Sequence, residues 1–406
     1  MKNKKLTTNE EYVLLAVWKD AMPHKNIIEQ EICKSFDLSH AIEINWSNEN
    51  FVLNALRLYE THWFTELKDL PTNSGHIEKI GSTNFTLYVL KDCNPQYRYK
   101  PSVSGSVELC NINIMNLKEK IRDYVFQKNN KKFSVHSTNN FNEFCFQSTL
   151  LLGINKTECL LKGQPLNFDG SHSEDLIGSK GWKNWNEVFR ALNLSCNYVV
   201  LRGFEELPYN NPEKDLDLLT DDFQRLASLL GVFQSSSQPY KGTMFVAGER
   251  ISVDIRYIGD QYFDTRFQIR VLENRQLKNG IYVPRDDDYF FSLLYHCKVH
   301  KDSVKPKYFE ILRTLAIKLE LNWFDNSMLN DDKKAKNILA GYYRAHRYIY
   351  MSPIDEGVYA NKVIVDALPG IKPRFNIIRV IKLKIRSITP NYLLDLRRFF
   401  LNFINK

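Results

Sequence analysis

The chain has 406 residues, 43% hydrophobic, 13% aromatic and 25% charged, with a formal net charge of +8. That composition belongs to a folded globular protein and excludes disordered, collagen-like and low-complexity classes. The charge is uneven: residues 372–406 hold nine Lys or Arg and one acid, so the other 371 residues balance at 46 basic against 46 acidic, and a nonspecific nucleic-acid-binding surface is not expected.

In chain order, Tyr12 to Trp18 reads as a strand, Asn26 to Phe36 as an amphipathic helix, Phe85 to Leu90 as a strand and Asn116 to Phe126 as a helix. This alternation predicts an α/β (α+β) layer over residues 1–155. The glycine-bearing stretch Gly153 to Lys183 reads as a linker leading into a helix from Trp182 to Leu192. A second domain, 156–300, is expected to carry strands at Asn197 to Leu201, Asp215 to Leu219 and Arg250 to Ile258, with a helix at Asp221 to Leu230. Asp286 to Asp288 suit a helix N-terminus before the run Tyr289 to Val299. Further helical pattern fills a 301–371 extension, and 372–406 forms a basic amphipathic tail. No internal repeat is visible.

Seven cysteines (Cys33, Cys93, Cys110, Cys145, Cys159, Cys196, Cys297) are scattered and never take CxxC spacing, as expected of reduced thiols in the cytoplasm. There is no signal-peptide pattern and no run of 18 apolar residues.

The densest chemical signal is LRGFEELPYNNPEKDLDLL, residues 201–219, with ISVDIRY, residues 251–257. Strand side chains repeat every second residue, so Asp215 and Asp217 share a face. Clustered carboxylates can bind the hard divalent cations that in-line displacement at phosphorus requires. An oxygen-only donor set selects Mg2+ or Mn2+. Gly203, the Asp215-x-Asp217 pair and the later Asp254 resemble the nucleotidyltransferase superfamily related to polymerase β. That resemblance implies a mixed-sheet nucleotidyltransferase-like fold. It also implies metal ligation by Asp215, Asp217 and Asp254, and phosphate contact at Gly203 and Arg202. Where the superfamily has a small hydroxyl residue or glycine to hold a triphosphate, this chain has Phe204.

Residues 253–275 and 280–301 look like nucleotidyltransferase-fold modules of bacterial proteins that build capsules and other surface glycans. The likeness implies transfer of a phospho-linked group, often from a CDP-activated donor, to a glycan or lipid-linked acceptor. Lys301 is a phosphate candidate. His296 and His300, four apart on one helix face, have spacing that permits joint metal ligation, with helix packing as the alternative. Two other functions stay open: transfer of a nucleoside monophosphate from a triphosphate to a protein, nucleic acid or small acceptor, and a non-catalytic scaffold in a glycan-assembly complex.

Residues 11–32 and 132–152 resemble the first strand and helix and the histidine segment of nucleoside diphosphate kinases. This implies a ferredoxin-like N-terminal domain with His136 at the phosphate-carrying position and Arg122 at that of a phosphate-binding arginine. Trp18 stands where that family has lysine, and Phe133 where it has asparagine. In the tail, IIRVIKLKI (377–385) alternates basic and apolar residues and YLLDLRRFFLNFI (392–404) reads as an apolar helix carrying Arg397 and Arg398. Such an element suits either the anionic inner face of a membrane or packing on the protein.

Overall fold

In the strand Glu11–Val17, alternate residues serve two layers. Val13, Leu15 and Val17 pack with Ile28, Ile32, Ile114, Ile121 and Val125 from the helices Lys25–Ile32 and Ile112–Asn129. Leu14 and Ala16 belong to a second cluster that includes Phe144, Phe146 and Leu150 of the helix Phe141–Leu152. A strand buried on both faces reads as an unbroken apolar run, which is why this one was legible. The computed structural model describes residues 10–61, 75–101, 107–164, 166, 171–235, 238–325 and 327–370.

The architecture is mixed α/β with two five-stranded sheets. The first runs Val135–Ser137, Glu11–Val17, Asn84–Asp92, Asp37–Asn45, Ser171–His172. The second runs Phe233–Ser235, Gln238–Val246, Glu249–Tyr257, Asp215–Thr220, Tyr198–Arg202. In the second, only Glu249–Tyr257 and Asp215–Thr220 are parallel neighbours. The helices Asp286–Val299, Pro306–Lys318 and Asp332–Ala345 follow.

Element boundaries shift where caps intervene. The helix expected from Trp182 begins at Trp185, because the Asn184 side chain accepts from the Glu187 N–H and fixes the start. The helix expected to reach Phe36 ends at Ile32, and Asp37 already opens a strand. The 153–183 stretch, expected as a linker, contains the helix Ile154–Leu161, separated from Phe141–Leu152 by Gly153 at φ +83°. Among the described residues, no helix is long and apolar enough to cross a membrane; the 372–406 tail lies outside them.

One apolar cluster runs from Leu14, Trp18 and Phe85 of the first sheet through Phe144 and Leu151 to Val199, Leu218 and Ile255 of the second. A polar tie across this junction is Arg57, in the helix Phe51–Leu58, fully buried. It donates to the carbonyls of Ile177 (2.7 Å), Ser228 (2.8 Å) and Leu229 (2.7 Å) and to Ser179 Oγ (2.9 Å). Ser228 and Leu229 lie in the last turn of the helix Phe223–Leu230, where carbonyls lack helical partners and the helix dipole favours a cation. Burial pushes the Arg57 pKa down to about 9.

Replacing Arg57 with Met keeps much of the volume and strands several buried acceptors, each worth roughly 1–3 kcal/mol when left unpaired. Urea unfolding should show a loss of about 3 kcal/mol or more. A loss below ~1 kcal/mol would mean that the junction does not depend on this guanidinium.

Candidate active site

Four adjacent strands of the second sheet each place one charged residue in a single cross-strand row. Arg202 is in register with Asp217, Asp217 with Asp254, and Asp254 with Lys241. The intervening residues Leu216, Leu218, Val253 and Ile255 point the other way and fill the core. Asp215 starts its strand in solvent, whereas Asp217, Asp254 and Arg202 are 9%, 6% and 8% exposed.

Each buried carboxylate has an arginine. Arg202 Nη2 donates to Asp217 Oδ1 at 2.5 Å. Arg256, two residues beyond Asp254 and on the same face, sets Nε 2.9 Å from Asp254 Oδ1 and Nη2 3.0 Å from Oδ2. Arg256 also reaches Asp355 Oδ2 (3.3 Å) and lies over the Tyr262 ring (4.4 Å). Lys241 Nζ is 3.7 Å from Asp254 Oδ2. Burial, opposed by Arg202 and reinforced by the Asp215 and Asp254 charges, raises the Asp217 pKa to about 6. Burial opposes both guanidinium charges, yet Asp217 and Asp254 hold the Arg202 and Arg256 pKa values above normal.

Gly203 follows Arg202 at φ +71°, and no atom lies within 4 Å of where its Cβ would sit. Backbone conformation is therefore what calls for glycine here. Phe204 is buried against Tyr289, ring centroids 4.7 Å apart, and the Tyr289 hydroxyl donates to Glu205 Oε1 at 2.6 Å. The residue departing from the superfamily pattern is thus part of the packing behind the loop.

The sequence candidates fall into three groups. Arg202, Gly203, Asp215, Asp217 and Asp254 come together at one end of the sheet. Lys301 is exposed beyond the helix Asp286–Val299; burial of its stem, then Arg202 and Lys241, lower its pKa, which puts it within their electrostatic reach. His296 and His300 pack beneath this row around Tyr262. His296 Nδ1 is 2.7 Å from the Tyr262 hydroxyl, and the His300 ring nitrogens are 2.9 Å and 3.1 Å from the carbonyls of Tyr262 and Tyr359. Burial lowers both histidine pKa values, that of His300 to about 4. The neutral His300 ring has a single N–H, which donates to one of these two main-chain carbonyls.

His136 and Arg122 belong to the first sheet. His136 Nε2 is 3.0 Å from Gln147 Oε1 and 3.9 Å from Glu143 Oε1, with the Tyr59 ring edge-on at 4.9 Å. Arg122 donates through Nε and Nη2 to the Val135 carbonyl and lies 5.6 Å from the Phe133 ring. The arginine is thus engaged with the backbone next to the histidine.

Arg256, Lys241, Tyr262 and Asp355 were not among the sequence candidates. Arg256 had a signal in the period-two spacing from Asp254. Lys241 becomes visible only through strand register, and Asp355 only through the tertiary fold.

The donor chemistry fits a hard divalent cation: three carboxylates at one sheet end, and an Asp254 Oδ1 that is buried without an aligned hydrogen bond. Their charge is, however, matched by Arg202, Arg256 and Lys241. Among the described residues no group of three or more His, Cys, Asp or Glu is arranged to hold a metal as it stands.

Because the folded protein holds the Asp217 proton more tightly than the unfolded chain does, Asp217 adds stability that is complete below about pH 4 and is lost as pH rises through about 6. Urea unfolding from pH 4.5 to 7.5 should show that decline in the wild type and its absence in Asp217→Asn. Superimposable profiles would assign the proton elsewhere.

No known protein family matches the chain, and no curated protein matches it in sequence. Among solved structures, the nucleoside diphosphate kinase of Aquifex aeolicus is similar at 12% identity over 34% of this chain and 92% of its own, with a TM-score of 0.21; a likeness at that level carries no argument about fold or activity.

Proposed function

We propose that the protein is a metal-dependent transferase of phosphorus-containing groups in bacterial capsule or surface-polysaccharide assembly. It moves a phospho-linked group from a CDP-activated donor to a glycan hydroxyl. The observation that supports this reading is the row itself: two buried aspartates side by side on parallel strands, flanked by Arg202 and Lys241, at a strand end followed by glycine. Asp217 and Asp254, with Asp215 at the mouth, hold Mg2+ or Mn2+. When bound, the cation neutralises charge on the attacking and leaving oxygens.

Arg202 and Lys301 bind the donor phosphates, and Lys241 offsets the remaining charge of Asp254. Arg256 fixes the Asp254 carboxylate in place, since it reaches both oxygens and is itself held by Asp355 and the Tyr262 ring. Phe204, packed into the core, leaves the loop without the small polar residue suited to a triphosphate, which favours a diphosphate-linked donor.

Incubation with Mg2+ and a panel of nucleoside triphosphates and nucleotide-diphosphate donors, read by mass spectrometry, tests the assignment. Release of cytidine monophosphate with group transfer is expected. A nucleoside monophosphate attached to the acceptor would instead establish the triphosphate reaction. Magnesium-dependent binding of no nucleotide at all would establish a scaffold. Asp217→Asn should lower transfer at least about a hundredfold, the scale on which transition-state charge stabilisation is lost, with the fold intact by circular dichroism.

The location proposed is the cytoplasm, peripherally at the inner face of the membrane through residues 372–406. Removing that tail should abolish co-sedimentation with anionic vesicles and leave transfer to a soluble acceptor in place. A truncated chain that cannot fold would assign the tail to the protein core.

A further inference from the structure

The two arginines of the site differ in how they are held. Arg256 is enclosed: both Asp254 oxygens, Asp355 and the Tyr262 face surround it, and it is 3% exposed. Arg202 is nearly as buried, yet the one hydrogen bond of its guanidinium to another described residue is that of Nη2 to Asp217 Oδ1. A guanidinium carries five N–H donors in a rigid fork suited to phosphate, so most of the Arg202 fork is unused. Lys301 stands within its electrostatic reach, and Lys241 within that of Lys301. Arg202 also stands beside Gly203, which has open space where a Cβ would sit.

We propose that Arg202 is the exchangeable counter-ion of this site: its guanidinium leaves Asp217 for the donor's phosphate, and the carboxylate it releases takes the divalent cation. The proposal rests on the reading of the site as a phosphorus-group transferase. Neither half of the exchange is favourable alone. Arg202 moved off Asp217 without a phosphate is a buried cation without a partner, and Asp217 without a cation is a buried anion directly opposite Asp254. Cation and phosphate therefore assist each other's binding, through one side chain that both need to move.

The test uses the full chain with Mn2+ alone, read by electron paramagnetic resonance of free Mn2+, and inorganic pyrophosphate alone in chelator-treated buffer, read by calorimetry. Arg202→Gln removes the competing cation, so Mn2+ should bind about tenfold more tightly than to the wild type, while pyrophosphate binding weakens about tenfold. Unchanged or weaker Mn2+ binding in Arg202→Gln, with binding lost in Asp217→Asn, overturns the exchange and leaves the metal site standing. Mn2+ binding that is unaffected in Asp217→Asn removes the metal site, and the exchange with it. Should Arg202→Gln not fold, the arginine side-chain 15N signal of the wild type carries the test, assigned by its disappearance in Arg202→Lys. Movement of that signal on addition of Mg2+ together with pyrophosphate is expected, and a signal indifferent to the pair refutes the exchange.

Discussion

Two carboxylates directly opposite each other on neighbouring strands set the terms for this end of the molecule. Asp217 and Asp254 are register partners, and parallel strands run only about 4.8 Å apart, so their charges repel across a distance that water cannot screen once they are buried. The arrangement persists because cations continue the same row on either side. A slip of one residue in either strand would turn these aspartates into the core and bring Leu216 or Val253 out. Register is thus fixed from both faces, by apolar packing on one and by charge alternation on the other.

Holding that register is a task for the whole chain. The helix Phe223–Leu230 follows the Asp217 strand after two residues, capped at its start by the Asp222 side chain, which accepts from the Arg225 N–H. Its far end is fixed by Arg57 from the N-terminal layer and by Trp182, whose indole donates to the Leu230 carbonyl at 3.0 Å. The first sheet therefore reaches the site through this helix as well as through the shared apolar cluster. A buried guanidinium facing carbonyls instead of a carboxylate suits this task, because a fork of donors fixes direction and demands no second desolvated charge.

The parts legible in the sequence are those whose signal is local. VVL, LDLL and ISVDI alternate or run apolar as strands do, and Asp215, Asp217 and Asp254 fall on one face by counting in twos. The same counting reaches Arg256, yet an arginine beside an acid in sequence does not say whether it faces solvent or both carboxylate oxygens. Lys241, on the strand Gln238–Val246, depends on the antiparallel register with Glu249–Tyr257, and no periodicity within one segment contains it. The helix Ile154–Leu161 was read as linker because glycines surround it, while Ile154, Thr157 and Leu160 are its buried positions. His296 and His300 show the reverse case: their spacing matches a metal pair, but spacing carries no information about the Tyr262 hydroxyl and the two carbonyls that occupy their nitrogens.

The segment after the helix Asp286–Val299 takes part in the site through these same contacts. His300 lies between the carbonyls of Tyr262 and Tyr359, Ile354 donates its N–H to the Asp260 carbonyl, and Asn361 donates to the Val299 carbonyl. Asp355 is carried on this segment to Arg256, where it balances the positive charge not neutralised by Asp254. Its removal would leave a guanidinium more than nine-tenths buried shared by one carboxylate that must also face Asp217. The electrostatics of the aspartate row thus extend through Arg256 to residue 355, about a hundred positions along the chain from Asp254, and the helices between them position a charge as well as cover a sheet.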